Sequence, residues 1–265
     1  MAIDDWQRKL RRQFVIDKKQ SLIIKYLDGE HPIFADYSVE NKTSGGIYKV
    51  ALRSRTSGTN FCTCPDFKTN RLGTCKHIEA IFHNISKNKK LSKMLKDNFQ
   101  PAYSSLYLEY GQTREIRLRI GSFKRIKYEK LATGYFDKNY RLLPDGLNHI
   151  DDFLTKAKKI NHTLHCYQDA MDYIIGQRAY HTRQIILKTN IKKKYFNNLL
   201  KAELYPYQEE GIIFAARAGR CLIADDMGLG KTIQAIGASE LFKNEFGVQN
   251  ILIICPTSLK YQWQQ

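Results

Sequence analysis

No run of eighteen apolar residues occurs in this 265-residue chain, so the sequence shows no membrane-spanning helix and no membrane partner is expected. The opening MAIDDWQRKLRRQF has no apolar stretch of signal-peptide length, and a cytosolic (cytoplasmic) protein is the expectation. Internal repeats and long low-complexity tracts are missing too. Acidic residues are in deficit, 26 against 43 Lys and Arg, for a net charge of +17. The deficit is uneven. Residues 1–100 hold 19 basic and 10 acidic residues, residues 101–203 the same numbers, and residues 204–265 only 5 and 6. A basic excess confined to the upstream part fits a polyanion partner, nucleic acid above all, with plain surface solvation as the alternative. Cysteine is sparse and clustered. Of Cys62, Cys64, Cys75, Cys166, Cys221 and Cys255, three fall within fourteen residues, where a disulfide framework would spread them; in a cytosolic chain that clustering points to metal. Apolar residues make up 43%, enough for a folded core, and the length suits roughly two domains.

Hydrophobic spacing predicts a helix over 3–28, on Trp6, Leu10, Phe14, Leu22, Ile23, Tyr26 and Leu27, ended by Asp28-Gly29. Alternation predicts strands over 33–40 and 46–54 and a short one near 59–61, then a helix over 75–85 and a short helix or linker in the basic SKNKKLSKMLKDN. From Ala102 the texture reads as strand in YSSLYLEYG, REIRLRIGS and FKRIKYEKL. In the second of these, Arg114, Arg117 and Arg119 alternate with Ile116, Leu118 and Ile120, giving one basic face, solvated or binding. Helices are expected over 150–160, 166–178 and 191–201, and Lys192-Lys193-Lys194 offers charge to a phosphate backbone or simply to water. From Leu204 the pattern changes to helix (206–218), strand (220–224), loop, helix (231–243), strand (250–254) and a last helix start, the alternation of a parallel α/β sheet.

FCTCPDFKTNRLGTCKH sets out Cys62-x-Cys64, ten residues, then Cys75-x-His77. Three thiolates and an imidazole make a complete tetrahedral set for Zn2+, and soft sulfur disfavours magnesium or calcium. The first pair suits a strand-end loop and the second a helix start, whose N–H groups favour thiolate charge. Four protein ligands leave no open position, so such a site is structural. This order and spacing, followed by the apolar HIEAIF, resemble the SWIM zinc finger over about residues 33–86, and the resemblance implies a module that engages DNA or a protein partner. His83 lies beyond the cluster. His162, His165 and Cys166 lack a fourth ligand at useful spacing, while Cys221 and Cys255 sit in apolar strand contexts and read as packing residues.

ADDMGLGKT, residues 224–232, has the end of a phosphate-binding loop without its first glycine, whose place Asp225 takes. Gly228 and Gly230 permit backbone that turns N–H groups towards phosphate, Lys231 supplies a cation for the β- and γ-phosphates, the Thr232 hydroxyl can hold magnesium, and the helix from Lys231 adds its positive end. With LYPYQEEGIIFAARAG before it and ILIICPTSLKYQWQQ after it, this stretch resembles the Swi/Snf family of helicase-like ATPases of superfamily two. That family has aspartate at the first-glycine place, in D-E-M-G-L-G-K-T; here Asp226 stands for the glutamate, and Tyr205 where a basic residue is frequent. The resemblance implies a RecA-like lobe. It also implies ATP with Mg2+ held by Gln208, Tyr207, Asp225, Gly228, Leu229, Gly230, Lys231 and Thr232, with Gln208 reading adenine and Lys231 and Thr232 serving catalysis. Pro256, Thr257 and Ser258 would face a DNA backbone.

After Thr232 the only acidic residues are Glu240 and Glu245, and no D-E-x-H motif is present. Phosphoryl transfer needs a further acidic group for magnesium and a group orienting water, so this stretch is not expected to turn over ATP unaided and reads as the N-terminal part of a longer protein. The expected organisation is a helix plus zinc-finger α+β part (1–98), a mixed α/β basic region without usable motifs (99–203) and the start of a P-loop α/β lobe (204–265). The function it implies is that of a DNA-dependent ATPase moving on double-stranded DNA. The alternatives are a stand-alone zinc-binding module with a vestigial nucleotide loop, and an adaptor meeting an acidic protein.

Overall fold

The computed structural model describes residues 2–17, 22–28, 31–56, 58–96, 101–160, 164–192 and 194–264. The chain is mixed α/β and forms two compact units, Met1–Ile174 and Ile175–Gln265.

The first unit opens with helix α1 (Ile3–Asp17). The predicted continuation to residue 28 is corrected: Leu22–Asp28 is strand β1, paired antiparallel to β2 (Asp36–Asn41) from Leu22↔Asn41 onwards. The contiguous Leu22-Ile23-Ile24 suits a pleated surface as well as a helix, and long-range pairing decides; Gly29, the predicted stop, lies outside the described residues. β3 (Ile47–Ala51) and β4 (Phe61–Cys62) complete an antiparallel sheet in the order β1-β2-β3-β4. Two helices follow from the cysteine region, the unforeseen α2 (Pro65–Asn70) and α3 (Lys76–Lys87), then α4 (Lys89–Lys96) in the basic stretch.

β5 (Ser105–Glu109) and β6 (Glu115–Arg119) form the expected hairpin, and β7 (His165–Cys166) joins β5 in parallel, giving the order β6-β5-β7. The third predicted strand is instead helix α5 (Arg125–Ala132), whose buried Tyr128 and Ala132 stand four residues apart on one face. α6 (Gly146–Ile160) packs Ile150, Phe153 and Ala157 inward at helical spacing. α7 (Gln168–Asn190) begins in this unit and runs past the predicted end at 178. One apolar core holds Ile33, Val39 and Ile78 together with Leu106, Phe153 and Ile174, so residues on both sides of position 98 share it. Arg53 and Asp169, both nearly inaccessible, form a two-pronged ion pair of 3.1 and 2.7 Å, and the Tyr110 hydroxyl donates to Asp169 at 2.8 Å.

In the second unit α8 (Pro206–Ala218) and α9 (Lys231–Phe246) pack on each other around Ile212, Ala216, Ala238 and Leu241. The predicted helix over 191–201 reduces to a 3-10 turn at Tyr195–Asn198; Lys193 lies outside the described residues. The predicted strands 220–224 and 250–254 are also corrected: neither segment is paired. A strand buried on both faces needs neighbours on both edges. Here Leu222, Leu252 and Ile254 stay more than four-fifths exposed, Cys221 is exposed and Cys255 half-buried, so neither cysteine is the packing residue expected. A 3-10 turn at Thr257–Leu259 and helix α10 (Lys260–Gln264) close the unit. Among the described residues no helix is long and apolar enough to cross a membrane.

Candidate functional site

The first site grows from the end of β4. Cys62 ends that strand, the chain turns, and Cys64 caps α2, where the Phe67 N–H donates to its sulfur at 3.3 Å. Gly73, at φ +70°, lies so close to Gly58 that an added Cβ would fall 2.6 Å from the Gly58 nitrogen, so only glycine fits the turn that returns the chain. Cys75 then caps α3 and His77 lies in its first turn. All four side chains are buried, and their ligating atoms lie within 4.8 Å of one another. The His77 Nδ1 sits 3.8 Å from the Cys62 sulfur and 4.0 Å from that of Cys75. A zinc tetrahedron with Zn–S of about 2.3 Å and Zn–N of about 2.0 Å has S–N edges of about 3.5 Å, so the donor set suits that ion in chemistry and stands a few tenths of an ångström wider than its tetrahedron.

The thiols resist ionising together. Burial, then the hydrogen bonds to the other two sulfurs, pushes Cys75 far up; the hydrogen bond with Cys64 leads in pushing Cys62 up to about 12; the thiols of Cys62 and Cys75 hold Cys64 down. A divalent cation at their centre would be the charge that lets all three be thiolates. Around the cluster α1 acts as a clamp. Arg8 donates to the Leu72 carbonyl, Arg11 grips Asp66 with two nitrogens, and Arg12 pairs with the buried Glu79, which also accepts from Thr74. Three cations of the N-terminal basic run are therefore engaged with the segment that carries the cluster.

The basic face of β6 is likewise engaged within the protein. Arg117 pairs with Glu109 and Glu115, Arg119 donates to the Arg53 carbonyl and the Tyr167 hydroxyl, and Arg114 donates to the Lys68 carbonyl. His165 stacks on Tyr103, and burial raises the Cys166 thiol to about 11; His162 lies outside the described residues. The Cys62, Cys64, Cys75 and His77 group is the only metal-capable cluster among the described residues, and His83 stands apart from it.

The second site is the loop between α8 and α9. Gly228 (φ +86°) and Gly230 (φ +71°) hold left-handed backbone there, as expected of a loop that turns N–H groups inward. Lys231 opens α9, and its ammonium donates to the Asp225 and Asp226 carbonyls at 2.7 and 2.8 Å, lying across the loop. Thr232 is exposed in the first turn and Leu229 is partly exposed. Gln208 is buried, with its amide in use: its oxygen accepts from the Tyr205 N–H at 3.1 Å, and its nitrogen donates to the Leu229 carbonyl at 3.3 Å and the Tyr207 hydroxyl at 3.4 Å. Tyr207 donates to the same carbonyl at 3.2 Å. Both residues thus fasten α8 to the loop, and in this arrangement the Gln208 amide faces protein groups. Asp225 accepts from the Gln234 amide at 2.6 Å. Sequence reading missed Gln234; its signal was faint, a polar residue one turn into a helix whose neighbours pack inward. Pro256, Thr257 and Ser258 lie at the exposed 3-10 turn.

The loop is thus left-handed at two glycines, is followed by a lysine at the start of α9, and is fastened to the glutamine-bearing α8. Residues 159–265 match the SNF2-related domain family, in keeping with the resemblance carried by the motifs of that stretch. Among its relatives, the human DNA annealing helicase and endonuclease ZRANB3 is 54% identical over 67 residues, 25% of this chain and 6% of that protein. The bovine protein of the same name is 46% identical over 88 residues, 32% of this chain and 8% of the relative. The Caenorhabditis elegans homolog of SWI/SNF-related matrix-associated actin-dependent regulator of chromatin subfamily A-like protein 1 is 48% identical over 63 residues, 23% of this chain and 9% of that protein. The chain thus spans less than a tenth of the length of these relatives. No solved structure matches it.

Proposed function

We propose that this chain carries the ATP-binding end of a Swi/Snf-type, DNA-dependent ATPase that moves along double-stranded DNA, joined to a SWIM-type zinc finger that engages DNA or a protein. The observation that carries the reading is the loop: two left-handed glycines, then Lys231 with its ammonium across the loop at the positive end of α9. The triphosphate of ATP, with Mg2+, supplies oxygens to replace the Asp225 and Asp226 carbonyls around that ammonium. Backbone N–H groups of Gly228, Leu229 and Gly230 are assigned to the phosphates, the Thr232 hydroxyl to magnesium, and Tyr207 and Gln208 to the side of the loop nearest α8.

We assign binding rather than turnover to these residues by themselves. Glu240 and Glu245 lie nine or more residues along α9 from Lys231, about 13 Å at 1.5 Å per residue. There they meet Lys243 and Asn190. For the zinc finger, the support is the buried Cys3His set, whose ligating atoms lie within 4.8 Å of one another. For DNA, the support is the net charge of +17 and the word DNA in the names of relatives. Titration of the chain with magnesium and a non-hydrolysable ATP analogue tests the reading; uptake abolished by Lys231→Ala supports it, and no uptake by the unaltered chain refutes it.

A further inference from the structure

Gln234 is wholly buried on α9, yet its side chain reaches back to the loop, donating from Nε2 to the Asp225 carboxylate at 2.6 Å. Its Oε1 is buried without a partner. The space that oxygen occupies exists only because residue 211 of α8 is glycine: a Cβ there would lie 2.0 Å from Oε1. We infer that Gln234 is a positioning residue of the phosphate loop: it clasps Asp225, at the place of the missing first glycine, to α9, and Gly211 makes room for the clasp.

Three features argue for this beyond helix packing. A buried amide with an unsatisfied oxygen is costly, and an apolar side chain would serve α8–α9 packing better. The bond is charge-assisted and spans nine residues, from the start of the loop to the first turns of the helix that ends it. Asp225 also offers its backbone carbonyl to Lys231, so fixing its carboxylate fixes one wall around the ammonium. A glycine at position 225 would leave that wall free to swing. The aspartate therefore replaces the flexibility of the first glycine with a tether, and Gln208 holds the other side of the loop through the Leu229 carbonyl. For its consequence this rests on the nucleotide reading above; the clasp itself does not.

Gly211→Ala separates the possibilities, because the added methyl must push the mobile end of Gln234 aside while alanine favours the helix over glycine. The full chain, Gly211→Ala, Gln234→Ala and the double variant are compared in two measurements, amide hydrogen exchange at residues 226–230 and titration with magnesium plus a non-hydrolysable ATP analogue. Expected are faster exchange in that loop in both single variants, about tenfold weaker binding in each, and a double variant no weaker than Gln234→Ala, since both changes break one bond. Unchanged loop exchange overturns the clasp. Faster exchange with unaltered affinity, or losses that add, overturns the positioning role. An unaltered chain that binds no nucleotide overturns the proposed function, while exchange still judges the clasp.

Discussion

Stripping the metal from the Cys62, Cys64, Cys75 and His77 site is expected to unfold the whole first unit. All four ligands are buried, and the three cysteines belong to the same apolar core as Leu106, Phe153 and Ile174. Structural zinc contributes about 10–16 kcal/mol of apparent folding free energy in small fingers, against about 5–15 kcal/mol for the net stability of a typical domain. With the cysteines built into the common core, the loss cannot be confined to the segment that carries them. For a unit the size of Met1–Ile174, each kcal/mol moves the midpoint by about 2–4 °C, so even a 10 kcal/mol loss shifts it by at least about 20 °C or removes the transition. The assay is thermal unfolding followed by circular dichroism, with and without a strong chelator, alongside metal analysis of protein purified without added zinc. One zinc per chain and a collapsed transition on chelation are expected. Substoichiometric metal in a chain with a full transition, or a midpoint that stays put once metal is stripped, refutes the reasoning.

The other expectations concern ions and charges. Asp169→Ala leaves the Arg53 guanidinium buried without its carboxylate and the Tyr110 hydroxyl without its acceptor, so chemical denaturation is expected to show a loss of about 3–5 kcal/mol; a loss under about 1 kcal/mol contradicts the buried-pair account. Cys75→Ser is expected to weaken DNA or partner engagement more than nucleotide uptake, measured side by side; equal losses would make the finger a scaffold only. Affinity of the chain for duplex DNA is expected to fall steeply as salt rises, because net charge drives it; salt-independent binding, or none, favours an acidic protein partner.

The sequence made the two sites legible for different reasons. A Cys/His cluster depends on residue types at fixed spacing, and Cys62-x-Cys64 with Cys75-x-His77 meets at one point because β4, α2 and α3 deliver it there. The helix α2 between the pairs was missed, although Pro65 and Asp66 after Cys64 are ordinary helix-start residues. Period alone could not separate strand from helix in Leu22–Asp28 or helix from strand in Arg125–Ala132, because partners distant in sequence chose between them. In the loop, Gly228, Gly230 and Lys231 announce their conformation by type. The Gln234–Asp225 clasp does not, because it depends on how α8 lies on α9 and on the space at Gly211. Nor did charge counting show that Arg8, Arg11, Arg12 and Arg117 are taken up by carboxylates and a carbonyl inside the first unit.

The central claim is that the Lys231 loop holds the phosphates of ATP. Isothermal titration of the chain with magnesium and a non-hydrolysable ATP analogue, run beside Lys231→Ala, tests it most directly. The account predicts one site per chain, weakened about a hundredfold or lost in the variant, in line with removal of a charge-assisted contact. Equal heats for both proteins, or none from the unaltered chain, would contradict it.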